Sequence, residues 1–281
     1  MVNPGAQKKN VTRRSPSIPR RLVREGALHL VPVYYVLRLS DLAREGIEHS
    51  GSYRFADHIY RGTPSGRTAV GRWIDRRLLD MPAARAFRRR CQQAQDVVRR
   101  ALEAIPAGGG PLRVLAVPCG IPRDILEHAR TSRLQYPGLL ERLEYLGFDI
   151  DPQVLDTASA LTRAAGLAAA HYHQGNALVR EDYPVSRFHV VISTGLGEFL
   201  RDDELAAFYA IVYELLERGG TFFTSATARD RRSDALLRMA EIVTHYRCAD
   251  DLERILRRHS WSRLDLTVDR TGLQTFVTAT K

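Results

Sequence analysis

Two hydrophobic periodicities divide the chain. Residues from about 26 to 105 contain helical segments, with apolar positions three and four apart, and almost no convincing strand. "VPVYYVLRLSDLAREG" is one predicted helical segment. "MPAARAFRRRCQQAQDVVRRALEAI" is the strongest, with Ala84, Phe87, Cys91, Ala94, Val98, Ala101 and Leu102 on one stripe and arginines elsewhere. "PAGGGP" ends the helical region. From there on, short apolar runs alternate with helix-length segments. Strands are predicted at 112–117, 143–149, 168–174, 188–194, 219–226, 261–268 and 273–280. Helices are predicted at 121–131, 152–165, 202–217, 231–247 and 249–258. This alternation predicts an α/β fold built of parallel β-α-β units. The last two strands are joined only by "DRTG", which is hairpin chemistry, so the sheet should close on an antiparallel strand. The expected organisation is a basic flexible tail at 1–25, a helical cap region at 26–108 and a Rossmann-like domain at 109–281.

Open α/β sheets bind ligands at the carboxyl ends of their first strands, and polar residues gather there. The turn after the first strand reads "PCGIPRD". Gly120 lets backbone approach a ligand, and the helix beginning near Ile121 offers its positive end. Pro118 has no N–H to donate, and neither Pro118 nor Pro122 can adopt a left-handed turn. A pyrophosphate needs several free amides, so dinucleotides and ATP are disfavoured. The second strand ends in "GFDID". Asp149 is placed to accept hydrogen bonds from both hydroxyls of a ribose, next to Ile150, and Asp151 before Pro152 should cap the following helix. Asn176 and Ala177 follow the third strand, where amide groups can read a purine edge. Ser193, Thr194 and Glu198 follow the fourth, in "STGLGEF".

Composition narrows the class without naming it. Hydrophobic content of 44% and charged content of 26% are those of an ordinary globular protein. No apolar run is long enough to cross a bilayer, and the basic N-terminus lacks the apolar core of a secretory signal. Cys91, Cys119 and Cys248 form neither a disulfide framework nor a metal spacing, so a reducing cytoplasm is expected. Of the net charge of +10, residues 1–25 carry +6. A basic tail of this kind attracts anions generally, so a nucleic-acid partner is not expected. His171 and His173 alternate on a strand, one expected to face inward, and read as structural; no metal is expected.

With these residues in place, the segment from 112 to 281 resembles the class I S-adenosylmethionine-dependent methyltransferases. The acidic residue and three glycines usual in the first motif of that family are replaced here by Ala116, Pro118, Gly120 and Pro122, and only the middle glycine remains. "GFDID", "GNAL", "VVISTGLGEFL" and "LLERGGTFFTSAT" carry the likeness, and "DHIYRGTPSGRTAVGRWID" is similar to a bacterial group of methyltransferases with no assigned substrate. The resemblance implies a seven-stranded, mostly parallel Rossmann-like sheet with its last strand antiparallel. It also implies S-adenosyl-L-methionine as cofactor, held by Pro118, Cys119, Gly120, Asp149, Ile150, Asn176, Ala177, Ser193 and Thr194. A ligand without phosphates suits a turn poor in amides.

Methyl transfer is an in-line displacement at an activated carbon, so positioning and exclusion of water do most of the work. A neutral acceptor needs a base, for which Glu198 is the best-placed carboxylate. Tyr60 and Ser193 complete the catalytic candidates. Tyr53, Arg61, Arg67 and Arg72 belong to the helical region that commonly covers the acceptor, where aromatic faces contact a sulfonium and arginines clamp an acidic group. Three functions stay open. The first is a methyltransferase acting on a small molecule. The second is an enzyme that cyclises S-adenosylmethionine to azetidine-2-carboxylate with release of methylthioadenosine. The third is a non-catalytic module binding cofactor or nucleic acid.

Overall fold

The computed structural model describes residues 17–49, 52–106, 109–127, 140–231, 233–234, 237 and 243–281. The chain divides into two units, Met1–Arg85 with Asp230–Val243, and Ala86–Arg229 with Thr244–Lys281. The division falls in the first turn of a long helix and not at the glycine cluster, where the sequence suggested it. From Ala86 onward that helix belongs to the second unit, and Ala86, Arg90, Ala94, Val97, Val98 and Leu102 on it are buried.

The first unit is helical: α1 (Ser17–Arg24), α2 (Leu30–Leu37), α3 (Asp41–Glu48), α4 (Tyr53–Arg61) and α5 (Ala69–Leu79). Ser40, Ser52 and Thr68 cap α3, α4 and α5, each side chain accepting the backbone N–H three residues on. Residues 17–24, expected in the flexible tail, form α1 instead. Ile18 and Leu22 lie one turn apart and are buried with Tyr34 and Ile47, which is enough to fix a short helix whose other face is arginine. Residues 1–16, with the tail's Lys8, Lys9, Arg13 and Arg14, lie outside the described residues.

"DHIYRGTPSGRTAVGRWID" in this unit is knotted around Asp75. That buried carboxylate accepts the N–H groups of Ser65 and Gly66, both at 2.8 Å, and the hydroxyl of Ser40. These hydrogen bonds outweigh burial and hold its pKa below the usual carboxylate value. Gly71 is required because a Cβ there would stand 2.2 Å from the carbonyl oxygen of Leu39.

The second unit begins within α6 (Pro82–Ala104) and holds a seven-stranded sheet: β1 (Leu112–Ala116), β2 (Leu143–Asp149), β3 (Ala170–Gln174), β4 (Phe188–Ser193), β5 (Leu216–Thr227), β6 (Arg263–Val268) and β7 (Gln274–Thr280). The order is β3-β2-β1-β4-β5-β7-β6, with β7 antiparallel to both neighbours and the other pairs parallel. Helices α7 (Pro152–Ala164), α8 (Asp202–Leu215) and α9 (Ala249–Leu256) match three of the predicted crossovers. One core cluster gathers Val191, Phe208, Val212, Phe222, Leu252 and Val277 beneath α8 and α9. All seven predicted strands occur. The strand predicted at 219–226 begins earlier, at Leu216, so Gly219 and Gly220 lie inside it, where the pairing with β4 shifts register and Gly219 takes φ +76°. Of the predicted helix 231–247, Arg231, Ser233, Asp234 and Leu237 are helical, eight residues lie outside the described residues, and 243–247 is not helical.

Candidate functional site

The carboxyl ends of β1, β2 and β4 are adjacent because the strand order reverses between β1 and β4, leaving a crevice there. After β1 the chain passes Pro118 and buried Cys119 to Gly120, which adopts φ +50°. A left-handed residue was needed at this turn, and glycine alone of the four motif positions supplies it. Among the described residues nothing lies within 4 Å of a Cβ built on Gly120, so the turn leaves space there. Gly147 on β2 has the opposite reason: a Cβ there would stand 2.5 Å from two ring carbons of Tyr172 and 3.1 Å from the Cys119 sulfur. Burial pushes the Cys119 thiol well above its ordinary pKa, consistent with a packing role.

Asp149 ends β2 and is 8% exposed. Its Oδ2 accepts the N–H of Gly120 at 3.2 Å and its Oδ1 accepts that of Asp151 at 3.1 Å, so one carboxylate joins the turns after β1 and β2. Burial pushes its pKa up against the pull of these two N–H groups. Ile150 beside it is 49% exposed, an apolar surface at the mouth of the crevice. Asp151 caps α7 through Gln153 N–H, as its position before Pro152 predicts.

After β3, Gly175 donates to the backbone oxygen of Asp149, tying a third turn to the other two. Asn176 is spent largely within its own loop. Its N–H goes to Asp182 and its Oδ1 accepts from Leu178 N–H, while the Ala177 oxygen accepts from the Tyr183 hydroxyl. Among the described residues this leaves the Asn176 side-chain nitrogen and the Ala177 N–H to read a ligand edge.

Ser193 is buried at the end of β4 and Thr194 is half-buried. Glu198 is 6% exposed. Its Oε1 accepts from Arg90 Nη1 at 3.1 Å and from the Thr227 hydroxyl at 2.7 Å, and Thr227 accepts from Gln274 Nε2 at 2.6 Å. Its Oε2 is buried and has no partner among the described residues. It does not cap α8, a role taken by Arg201 and Glu204. The turn carrying Glu198 is fixed from behind: Arg247 donates to the carbonyls of Gly197 and Leu200, and His245 N–H donates to that of Glu198.

Arg90, Thr227, Gln274 and Arg247 were not foreseen. Arg90 sits in "RRR", which reads as a solvated run, yet it is buried one turn from Ala86 and one from Ala94. Its guanidinium packs 3.9 Å above the Phe87 ring. Small residues flanking one arginine on an otherwise apolar stripe were the available signal.

Tyr53, Tyr60, Arg61, Arg67 and Arg72 belong to the helical unit. Tyr53 opens α4, with Arg54 donating to its hydroxyl; Tyr60 is half-buried in the last turn of that helix; Arg61 pairs with Asp57 at 3.1 Å. Arg67 is exposed, and Arg72 donates to the Gly66 oxygen. His171 and His173 are both exposed. Residues two apart share a face of a strand, so neither turns inward, and His173 stacks 5.7 Å from the Phe148 ring. No group of metal-ligating side chains occurs among the described residues. A groove of about 580 Å³ between α7 and β3, lined by Leu155, Asp156, Arg163, His171 and Gln174 among others, contains none of the crevice residues named above.

Residues 36–279 match the family model described as "Putative methyltransferase", and the chain belongs to that family. No curated protein sequence matches it. Among solved structures, a Bordetella parapertussis protein described as a possible exported protein is 19% identical, with a TM-score of 0.74 over 94% of this chain and 93% of that one. The CMeT domain of the citrinin polyketide synthase is 16% identical, with a TM-score of 0.58 over 93% and 68%. Magnesium protoporphyrin IX methyltransferase from Synechocystis PCC 6803, solved with bound SAH, is 15% identical, with a TM-score of 0.52 over 80% and 93%. The fold is therefore that of the Rossmann-like methyltransferases.

Proposed function

We propose that this chain transfers a methyl group from S-adenosyl-L-methionine to a small molecule, with Glu198 as the proton acceptor. The observation that carries the reading is the pairing of two carboxylates around one crevice. Asp149 joins the turns after β1 and β2, and Glu198 beyond β4 keeps a buried oxygen unpartnered. The residues fit the cofactor. Asp149 retains acceptor capacity for two ribose hydroxyls, Gly120 leaves room above its turn, and Ile150 offers a face for adenine. Pro118, Cys119, Ser193 and Thr194 form the crevice walls, with the Asn176 amide nitrogen at its edge and Ala177 beside it.

When bound, the sulfonium supplies a methyl carbon already activated toward displacement. The acceptor's lone pair forms the new bond to that carbon as the carbon–sulfur bond breaks, and SAH leaves neutral at sulfur. The acceptor's proton passes to Glu198 Oε2, while Arg90 and Thr227 hold Oε1 and fix the direction of the free oxygen. A buried oxygen of this kind is reached by a small group more readily than by a folded surface. From the sequence, Tyr53, Arg61 and Arg67 remain candidates for acceptor recognition and Tyr60 a catalytic candidate.

The test is incubation of purified protein with S-adenosylmethionine alone and with an acceptor panel, read by mass spectrometry. Intact, bound cofactor that turns over to SAH only with an acceptor is expected. Methylthioadenosine and a cyclic amino acid from the cofactor alone would replace methyl transfer with self-cyclisation, and absence of binding would refute both. With an acceptor in hand, Glu198→Gln should lower kcat by about 100-fold or more while cofactor affinity changes little.

A further inference from the structure

Eight of the fourteen exposed large apolar side chains among the described residues lie between Val23 and Trp73, in the helical unit. On α2 the outward positions are Pro32, Val33, Tyr35 and Val36, with Leu39 just beyond, and none is charged. A helix apolar on its solvent side has an unmet partner. Next to it, α5 exposes Val70 and Trp73 among Arg72, Arg76 and Arg77, with the Arg77 guanidinium 5.4 Å from the Trp73 ring. The turn after α2 meets α5, since a Cβ built on Gly71 would stand 2.2 Å from the carbonyl oxygen of Leu39.

Charge decides what the partner is. Residues 1–85 hold sixteen basic and seven acidic residues, a net of +9 out of the whole chain's +10. The acids are mostly engaged elsewhere. Asp41 pairs with Arg44, Glu48 with Arg38, Asp57 with Arg61, and Asp75 is buried as the only acid of α5. Two copies of this chain meeting face to face would set +9 against +9. Aliphatic residues, a Trp and a Tyr among arginines instead match the boundary between anionic headgroups and acyl chains.

We propose that α2 and α5 dock the protein on an anionic lipid bilayer, Val33, Val36 and Leu39 entering the acyl boundary and Arg72, Arg76 and Arg77 meeting headgroups. This is independent of the methyl-transfer reading. The test is flotation of the full-length protein with vesicles of phosphatidylcholine, with and without phosphatidylglycerol, at low and high salt. Binding is expected only with phosphatidylglycerol. It should weaken with salt and fall tenfold or more both in Val36→Glu and in Arg76→Glu/Arg77→Glu. The melting temperature reports that the variants are folded.

Equal partition to both lipid compositions would overturn the proposal, as would no binding to either. Binding that survives Val36→Glu would reduce it to charge attraction and overturn docking by this face. A dimer in sedimentation that Val36→Glu dissociates would assign the face to a second copy and overturn it as well.

Discussion

At Asp149 each carboxylate oxygen accepts one backbone N–H while the remaining lone pairs face the crevice. Asp149→Ala is expected to weaken S-adenosylmethionine binding tenfold or more in calorimetry, and to lower stability by about 1–2 kcal/mol because two N–H groups lose their acceptor. A variant that binds cofactor like the parent would remove Asp149 from the site. Asp124 behaves differently. It is buried behind the same turn, accepts the Tyr145 hydroxyl at 3.3 Å, and burial pushes its carboxyl up from 3.8 to about 6. Between those values the folded chain binds more protons than the unfolded one. Its stabilising neutral form is therefore present below about 4 and lost as pH rises toward 6. Asp124→Asn should flatten that fall and raise neutral-pH stability by on the order of 2 kcal/mol in urea titrations; an unchanged pH slope would contradict it. Asp149, Asp151 and Gly120 were legible in the sequence because each stands at a strand end beside turn chemistry. Arg90 was not, because the side a helical arginine faces depends on what packs against it.

Among the elements, strand periodicity was readable throughout the sheet, since apolar runs bounded by Gly, Pro and Asp leave little choice of register. The "DRTG" hairpin was equally plain: Asp269 accepts the N–H groups of Thr271, Leu273 and Gln274 at the β6–β7 turn. α1 escaped notice because two buried residues among arginines make too weak a pattern in eight positions. The β1–β2–β3 layer has one especially intolerant point. Gly147→Ala would press a methyl against Tyr172 and should cost about 1–3 kcal/mol in thermal melts. Adding Tyr172→Ala is expected to recover part of that loss, whereas strictly additive effects would mean the contact is not the cause.

For the whole molecule, family membership rests on residues 36–279, so the match takes in the helical unit from Val36 onward as well as the sheet unit. A ligand that binds only the folded chain raises its melting point by mass action. S-adenosylmethionine at about 100 times its Kd should add about 2.7 kcal/mol, a rise of roughly 5 °C for a chain of this size. Asp149→Ala should cut that rise to about half or less. An unchanged melting point in the parent would count against cofactor binding. Total charge was legible from the outset. Its concentration in one unit, beside an uncovered apolar helix, became meaningful only once the fold showed which faces were spoken for.

The three turns laced through Asp149, to Gly120, Asp151 and Gly175, are tied to one another by the protein's own hydrogen bonds. Preorganisation of this kind shifts the ordering cost of recognition from the binding step to folding. An incoming ribose meets a wall already set, so association can be fast and little conformational entropy is lost on arrival. Foldedness and affinity then share one side chain, and evolution cannot relax either at that position without relaxing the other.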